Sequence, residues 1–573
     1  MSYSKFRLVV IAALMTVVAG CGDRSDSASS LGSDAGILRY IPADTPYVIA
    51  APGRMPDDVS DKLEPHIDEL LGAYHRMLRA MANNAEAETD DVAAMREFLP
   101  LIDELGSLMS SDGLRGAGIN RDSQFAIYGI GLLPVMRITL SDGALFESAF
   151  ARLEEAAGTE MQVATVDGNE YRYAGDDDGR VIVAIIDNEL VLSLVPTGLS
   201  DAQLGDVLGL TIPAENIATA GVLTGIAADY DYIDYGVGLI DITKIVDILI
   251  GETSGLSAEV LSAMDYQVPD LSDVCRAEIR DIAAIMPRVV SGYKEVSTER
   301  LVSHAAFELR GDLAEGLATI VAPVPGLGQP TDGLFSFGMS MNLLAARNFY
   351  EARLDALEAD PFRCELLAEG QNNIQAGREI LNQPVPPIVY GFKGFFADID
   401  GFEGMDLAND IPPTSIDMRV LIATENAESL LAMGTMFSPD IASLNITPGG
   451  DPVRLDLPML AATGQAMYVA MSDEAIALSM GEGMQDGLTS MLAAPALEPS
   501  PFIGADMDAA RYYGFIQEAI EADPDSALDQ MPEMQEALRS VMGAIQKMFK
   551  RSRFIIGFTG AGIEMESEAI LAD

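Results

Sequence analysis

Tryptophan is absent from the 573 residues, and histidine and cysteine occur only three times each. The absence of Trp counts against sugar binding by stacking. His66 and His75 fall nine residues apart on one predicted helix, about 180° around its axis, so they cannot share a metal ion. His304 falls in a predicted strand, where a structural role is the expectation. No HExxH, GxSxG or GxxxxGK[ST] pattern occurs. Gly116-Ala117-Gly118 and Gly560-Ala561-Gly562 complete no dinucleotide fingerprint and read as turns. Cations are scarce as well: 35 Lys and Arg stand against 88 Asp and Glu, a net charge of −53. Such a chain repels phosphate backbones and anionic headgroups, which excludes nucleic acid as a partner. The acids are spread along the whole sequence and read as a solvated coat. Beyond the first twenty residues, no apolar run approaches the roughly 20 residues of a spanning helix, so the body is expected to be soluble.

The N-terminus carries a more specific signal. Lys5 and Arg7 precede an apolar run, Leu8 to Val18, which ends in Val18-Ala19-Gly20-Cys21. This stretch resembles the lipobox of bacterial lipoproteins. The resemblance implies that residues 1–20 are a signal peptide, removed with the chance SxxK match Ser2-Tyr3-Ser4-Lys5, and that Cys21 becomes a lipidated N-terminus. With about 0.8 kcal/mol per buried methylene, several acyl chains would hold the protein durably on a membrane. Gly22 stands where inner-membrane lipoproteins often carry Asp, so the implied address is the periplasmic face of the outer membrane. Residues 21–36, rich in Ser, Gly and Asp, read as a flexible tether with a reach on the order of 20 Å.

Cys275 and Cys364 then remain as an even pair in an oxidising compartment, and a disulfide between them is the expectation. Neither has a CxxC or His-rich neighbourhood, so no metal site and no cofactor is expected.

The body reads as a sequence written twice. Met136-Arg137-Ile138-Thr139-Leu140 is echoed by Met418-Arg419-Val420-Leu421-Ile422, each a strand leading through a cap into a helix. In the first of these helices Leu145, Phe146, Ala149, Phe150 and Leu153 make an apolar face. About 45 residues on, each copy enters a hairpin, Val181–Ile186 with Glu189–Leu194 and Ala466–Met471 with Glu474–Met480. Val237-Gly238-Leu239-Ile240-Asp241 is echoed by Ile503-Gly504-Ala505-Asp506-Met507-Asp508. Each copy ends on two strands, Val289–Tyr293 with Arg300–Leu309 and Arg553–Thr559 with Gly562–Ala569. The hairpins are apolar on both faces, so each sheet should be covered on both sides. The expected fold is α+β: two tandem homologous lobes, residues 37–310 and 333–573, each a mixed or antiparallel sheet layered with helices. Residues 311–332, with Pro323, Pro325, Gly326, Gly328 and Pro330, read as the linker. Further helices are expected over Asp57–Ala82, Asp91–Ser110, Leu343–Glu358 and Pro532–Lys550.

No cluster reaches a reaction, and catalytic residues are not assigned. Asp398-Ile399-Asp400-Gly401-Phe402-Glu403 and Asp176-Asp177-Asp178-Gly179 lack the alternation and distal Glu of a Ca²⁺ loop and read as acidic turns. Tyr230-Asp231-Tyr232-Ile233-Asp234-Tyr235 reads as a half-buried strand, with a groove lining as its alternative. The 29 Met read as adaptable core filler or an accommodating apolar surface. The leading expectation is a non-enzymatic, membrane-tethered structural or protein-binding module. The first alternative is a carrier or chaperone for an apolar ligand held between the lobes. The second is an enzyme with a dispersed carboxylate site.

Overall fold

The computed structural model describes residues 31–32, 36–84, 99–176, 179–368, 370, 372–404, 413–437, 441, 443–455, 465–521 and 532–573. Cys21, the tether up to residue 30 and the start of the helix expected from Asp91 lie outside them. The first part of the chain supplies strands β1 (Tyr47–Ala51), β2 (Phe125–Ile130), β3 (Leu133–Thr139), β4 (Gln162–Val166), β5 (Asn169–Gly175), β6 (Arg180–Ile186), β7 (Glu189–Val195), β8 (Val237–Asp241), β9 (Arg288–Val296) and β10 (Arg300–Glu308). The second part supplies β11 (Phe335–Ser340), β12 (Phe392–Glu403), β13 (Ser415–Thr424), β14 (Val453–Arg454), β15 (Met467–Met471), β16 (Ala475–Met480), β17 (Ile503–Asp508), β18 (Phe549–Phe558) and β19 (Gly562–Leu571).

These strands do not form two lobes with separate sheets. They form one antiparallel sheet of 19 strands, which corrects the expected division. Followed pair by pair, the order is β4-β5-β6-β7-β3-β2-β1-β8-β9-β10-β19-β18-β17-β11-β12-β13-β16-β15-β14. The physical reason lies at β10 and β19. Each is the last strand of its half of the chain and would leave a row of unpaired N–H and C=O groups at an edge. They pair instead with each other along their length, from Arg300 opposite Ile570 to Glu308 opposite Gly562. Read outward from this seam, the two halves of the chain lay down the same strand order.

Two crossings stitch the halves further. His304, 4% exposed on β10, has Nδ1 2.7 Å from the Tyr232 hydroxyl and Nε2 3.0 Å from the Glu564 carboxylate of β19. With Nε2–H donated to Glu564, Nδ1 is left to accept from Tyr232. Glu564 also accepts from the Thr559 hydroxyl at 2.6 Å. The hydrogen bond from His304 holds the Glu564 carboxyl below its ordinary pKa. A depressed folded pKa adds stability above the ordinary carboxylate range and loses it as pH falls through the folded value. Glu564→Gln is therefore expected to cost about 1–3 kcal/mol at neutral pH, as a hydrogen bond to a charged group does. It should also make the acid-side loss of stability shallower, and denaturation midpoints across pH 3–7 for variant and parent would check both.

The second crossing is covalent. Cys275 and Cys364 form a disulfide that ties one half's helix Asp273–Ala283 to the segment leading into the other half's helix Glu365–Ala368. Ile250 and Leu271 are buried beside it.

The expected linker is not an open spacer. It holds a helix, Gly311–Ala318, and then Val324 and Leu327, which are buried against Phe396, Leu421 and Ala477 of the sheet. The two-faced apolar hairpin behaves as its composition demands. Ile182 and Ala184 join the core on one face, while Val183 and Leu190 meet Phe146 and Phe150 on the other. Those phenylalanines come from the helix Gly143–Ala157, capped by the Asp142 side chain and closed by Gly158 in the left-handed region. Leu145 of the same helix is exposed and does not join the stripe.

The echoed arginines occupy matching places. Arg137, fully buried, donates to Glu189 at 2.9 Å and to the Leu208 carbonyl at 3.0 Å, and its guanidinium lies 4.0 Å from the centre of the Tyr40 ring. Arg419 donates to Asp398 at 2.9 Å and Asp400 at 3.0 Å. Asp398 and Asp400 are thus ion-paired strand residues of β12, which corrects their reading as an acidic turn.

Candidate functional site: an apolar cavity over the seam

Side chains directly opposite one another in an antiparallel pair share a face. On one face of the central sheet, the register aligns Ile49, Gly238, Ser291, Ala305 and Met565 across β1, β8, β9, β10 and β19. A second row aligns Tyr293, Ser303, Ser567 and Phe554 across β9, β10, β19 and β18. Gly238, Ser291, Ala305, Ser303 and Ser567 are small, so the floor there is set back from whatever covers it. Continued into the second half, the first row becomes Ile556, Ile503 and Met339, and the room closes.

The cover is a set of helices: α1 (Asp57–Asn84), α2 (Leu99–Leu108), α3 (Ser111–Gly116), α4 (Gly143–Ala157) and α5 (Pro532–Met548). Leu63, Ile67, Leu70, Leu71, Tyr74, Met77, Leu78 and Met81 give α1 an apolar stripe at helical spacing, and all of them face the floor. Ile102 and Leu105 of α2, Leu114 of α3, Phe146 and Phe150 of α4 and Met548 of α5 complete the roof and walls. Helix α5 comes from the other half of the chain and is clasped to α1 by Lys547 on Glu69 at 2.8 Å and by Asn83 on Glu533 at 3.3 Å.

The space between floor and roof, partly open to solvent, has a volume of about 1490 Å³. Ordinary small-molecule pockets hold roughly 300–1,000 Å³. A space of this size left empty would forfeit far more packing than the ~5–15 kcal/mol by which a folded protein exceeds its unfolded chain. It therefore has to be filled by water or by a ligand. Water gains little against walls of Leu, Ile, Met and Phe, and Ile49 on the floor is 55% accessible. A hydrocarbon replaces that water at a gain of about 0.8 kcal/mol per methylene buried.

Polar groups in the lining are few. Among the described residues Glu154 is its one carboxylate, and Glu154 Oε1 already accepts the Met161 N–H at 2.7 Å. No Lys or Arg lines it among the described residues. The carboxyls that burial pushes above their ordinary pKa, Glu189, Asp206 and Asp398, are not in the lining. The described residues contain no group of three His, Cys, Asp or Glu placed to hold a metal.

Of the histidines and cysteines singled out from sequence, His304 lines the cavity and the others fall elsewhere or outside. Cys21 lies outside the described residues; Cys275 and Cys364 join each other away from the cavity. His66 and His75 share α1, and His75 Nε2 stands 3.6 Å from Asp103. The tyrosine cluster is not a strand. Tyr230 ends the helix Val222–Tyr230, Asp231 caps it in the left-handed region, and Tyr232 turns to His304. Tyr235 does line the cavity, with its ring 5.3 Å from that of Tyr293. The signal missed was the combination of small residues in otherwise apolar strands with the stripe of α1. The chain matches no family model, no curated protein and no solved structure.

Proposed function

We propose that the protein is a carrier for lipid acyl chains, held at a membrane surface by lipidated Cys21. The cavity carries this reading: its volume exceeds a small-molecule pocket, its walls are hydrocarbon, and its floor is kept open by small residues. Of the readings open from sequence, it favours the apolar-ligand carrier, with the ligand under a roof of helices on one sheet face and not between lobes. A disulfide accords with an oxidising compartment, and the lipobox-like N-terminus accords with a membrane that supplies the ligand. The acidic surface would keep the loaded body off anionic headgroups between exchanges.

Native mass spectrometry of the full-length protein, extracted in a mild detergent, is expected to show a bound lipid mass. After delipidation the protein should take up an apolar fluorophore saturably, and added lipid should displace it. Repeated preparations with neither lipid nor saturable uptake would sink the proposal.

A further inference from the structure

We infer that the lipid is an uncharged two-chain glyceride, whose hydroxyl or ester oxygens meet a stripe of hydroxyls on the cavity floor. The inference rests on the carrier reading and names its ligand. Tyr293, Ser303 and Ser567 sit directly opposite one another on three neighbouring strands, β9, β10 and β19, with Ser291 two residues along β9. All four line the cavity. Ser291 and Ser303 are half-buried and Ser567 is exposed, and their hydroxyls face the space without a hydrogen bond to any described group. A hydrocarbon alone would leave these hydroxyls dry and unmatched, at a cost of about 1–3 kcal/mol for each group so stranded.

Charge narrows the class. An anionic headgroup drawn into the space would lose its water and find no Lys or Arg in the described lining, and both ring nitrogens of the lining His304 are taken by Tyr232 and Glu564. Four cations on the surrounding helices are engaged in ion pairs: Arg79 with Asp103, Arg115 with Glu64, Arg152 with Glu104 and Lys547 with Glu69. Hydroxyls donate to and accept from an ester or alcohol equally well. Size fixes the number of chains. At roughly 30 Å³ for each non-hydrogen atom, the share of a water molecule in the liquid, the volume admits about 50 atoms, enough for two acyl chains and their glycerol.

The test uses the delipidated full-length protein and three probes: dioleoylglycerol, oleate and octadecene, which carries no oxygen. Dioleoylglycerol is expected to bind most tightly, with oleate at neutral pH at least about tenfold weaker. In the Ser303→Ala/Ser567→Ala double variant the preference for dioleoylglycerol over octadecene should fall about tenfold, the factor expected of two ordinary hydrogen bonds. Oleate binding as tightly as the diglyceride, or a preference unmoved in the double variant, would overturn the inference and leave the carrier reading standing. If none of the probes binds, both fall together.

Discussion

Ala305→Phe is expected to abolish binding of two-chain lipids, by a factor of a hundred or more, while leaving the protein as stable as before or slightly more so. Ala305 lies on β10 in the middle of the floor, with Ser291 opposite it on one side and Met565 on the other. Its side chain points into open space, so a ring added there displaces ligand and does not press on packed neighbours. Filling a cavity commonly adds about 0.5–2 kcal/mol, whereas overpacking a full core subtracts about 1–3 kcal/mol. The two signs separate a real ligand space from an artefact of loose packing. A graded series, Ala305→Leu, Ala305→Phe and Ala305→Trp, should lower affinity for dioleoylglycerol step by step at a steady unfolding midpoint. If the midpoint drops with each step and affinity holds, the floor is not where the ligand sits. Gly238 would be the wrong choice for such a series, since a Cβ there would stand 2.5 Å from Ser291 Oγ.

How much of this was legible beforehand depends on which physical rule governs each feature. Periodicity found the helices: Asp57–Asn84 and Leu343–Ala359 lie within two residues of the segments expected. Two-faced hairpins announced their double cover, because a strand that does not alternate cannot have a wet face. The echo Met136-Arg137 and Met418-Arg419 falls on strands in matching places, with Arg137 buried and Arg419 half-buried. The division into lobes failed for a different reason. Pairing of β10 with β19 is made by backbone N–H and C=O groups, which every residue carries, so no side-chain pattern distinguishes a free edge from one that meets another edge. Nothing in the sequence singles out Ser303 and Ser567 within their strands. Only the register, which sets them opposite each other under α1 and α5, turns them into a site. The tyrosine cluster misled because alternate Tyr suits a strand, while Gly221 and Asp231, both in the left-handed region, bound a helix that ends at Tyr230.

Reduction of the Cys275–Cys364 bond is expected to cost about 4–5 kcal/mol without loosening the cavity. The bond closes a loop with a sequence separation of 89, and the chain-entropy account places such a loop near the upper end of the usual range. That loop contains β9, β10, β11 and the helix Leu343–Ala359, so the bond restrains in the unfolded chain the very segment that joins the two halves. In the folded protein the halves are already joined by the β10–β19 seam and by α5 lying on α1. The stabilisation therefore comes from the unfolded state, and the ligand space, bounded by none of the residues near Cys275 or Cys364, should keep its shape. Urea unfolding of the Cys275→Ser/Cys364→Ser variant beside the parent would measure the loss, with fluorophore uptake measured on the same samples in the absence of urea. A large drop in midpoint with uptake intact is the expected pair of results. Uptake lost together with the bond would mean that the disulfide holds the roof over the floor, and that the seam alone is too weak to do so.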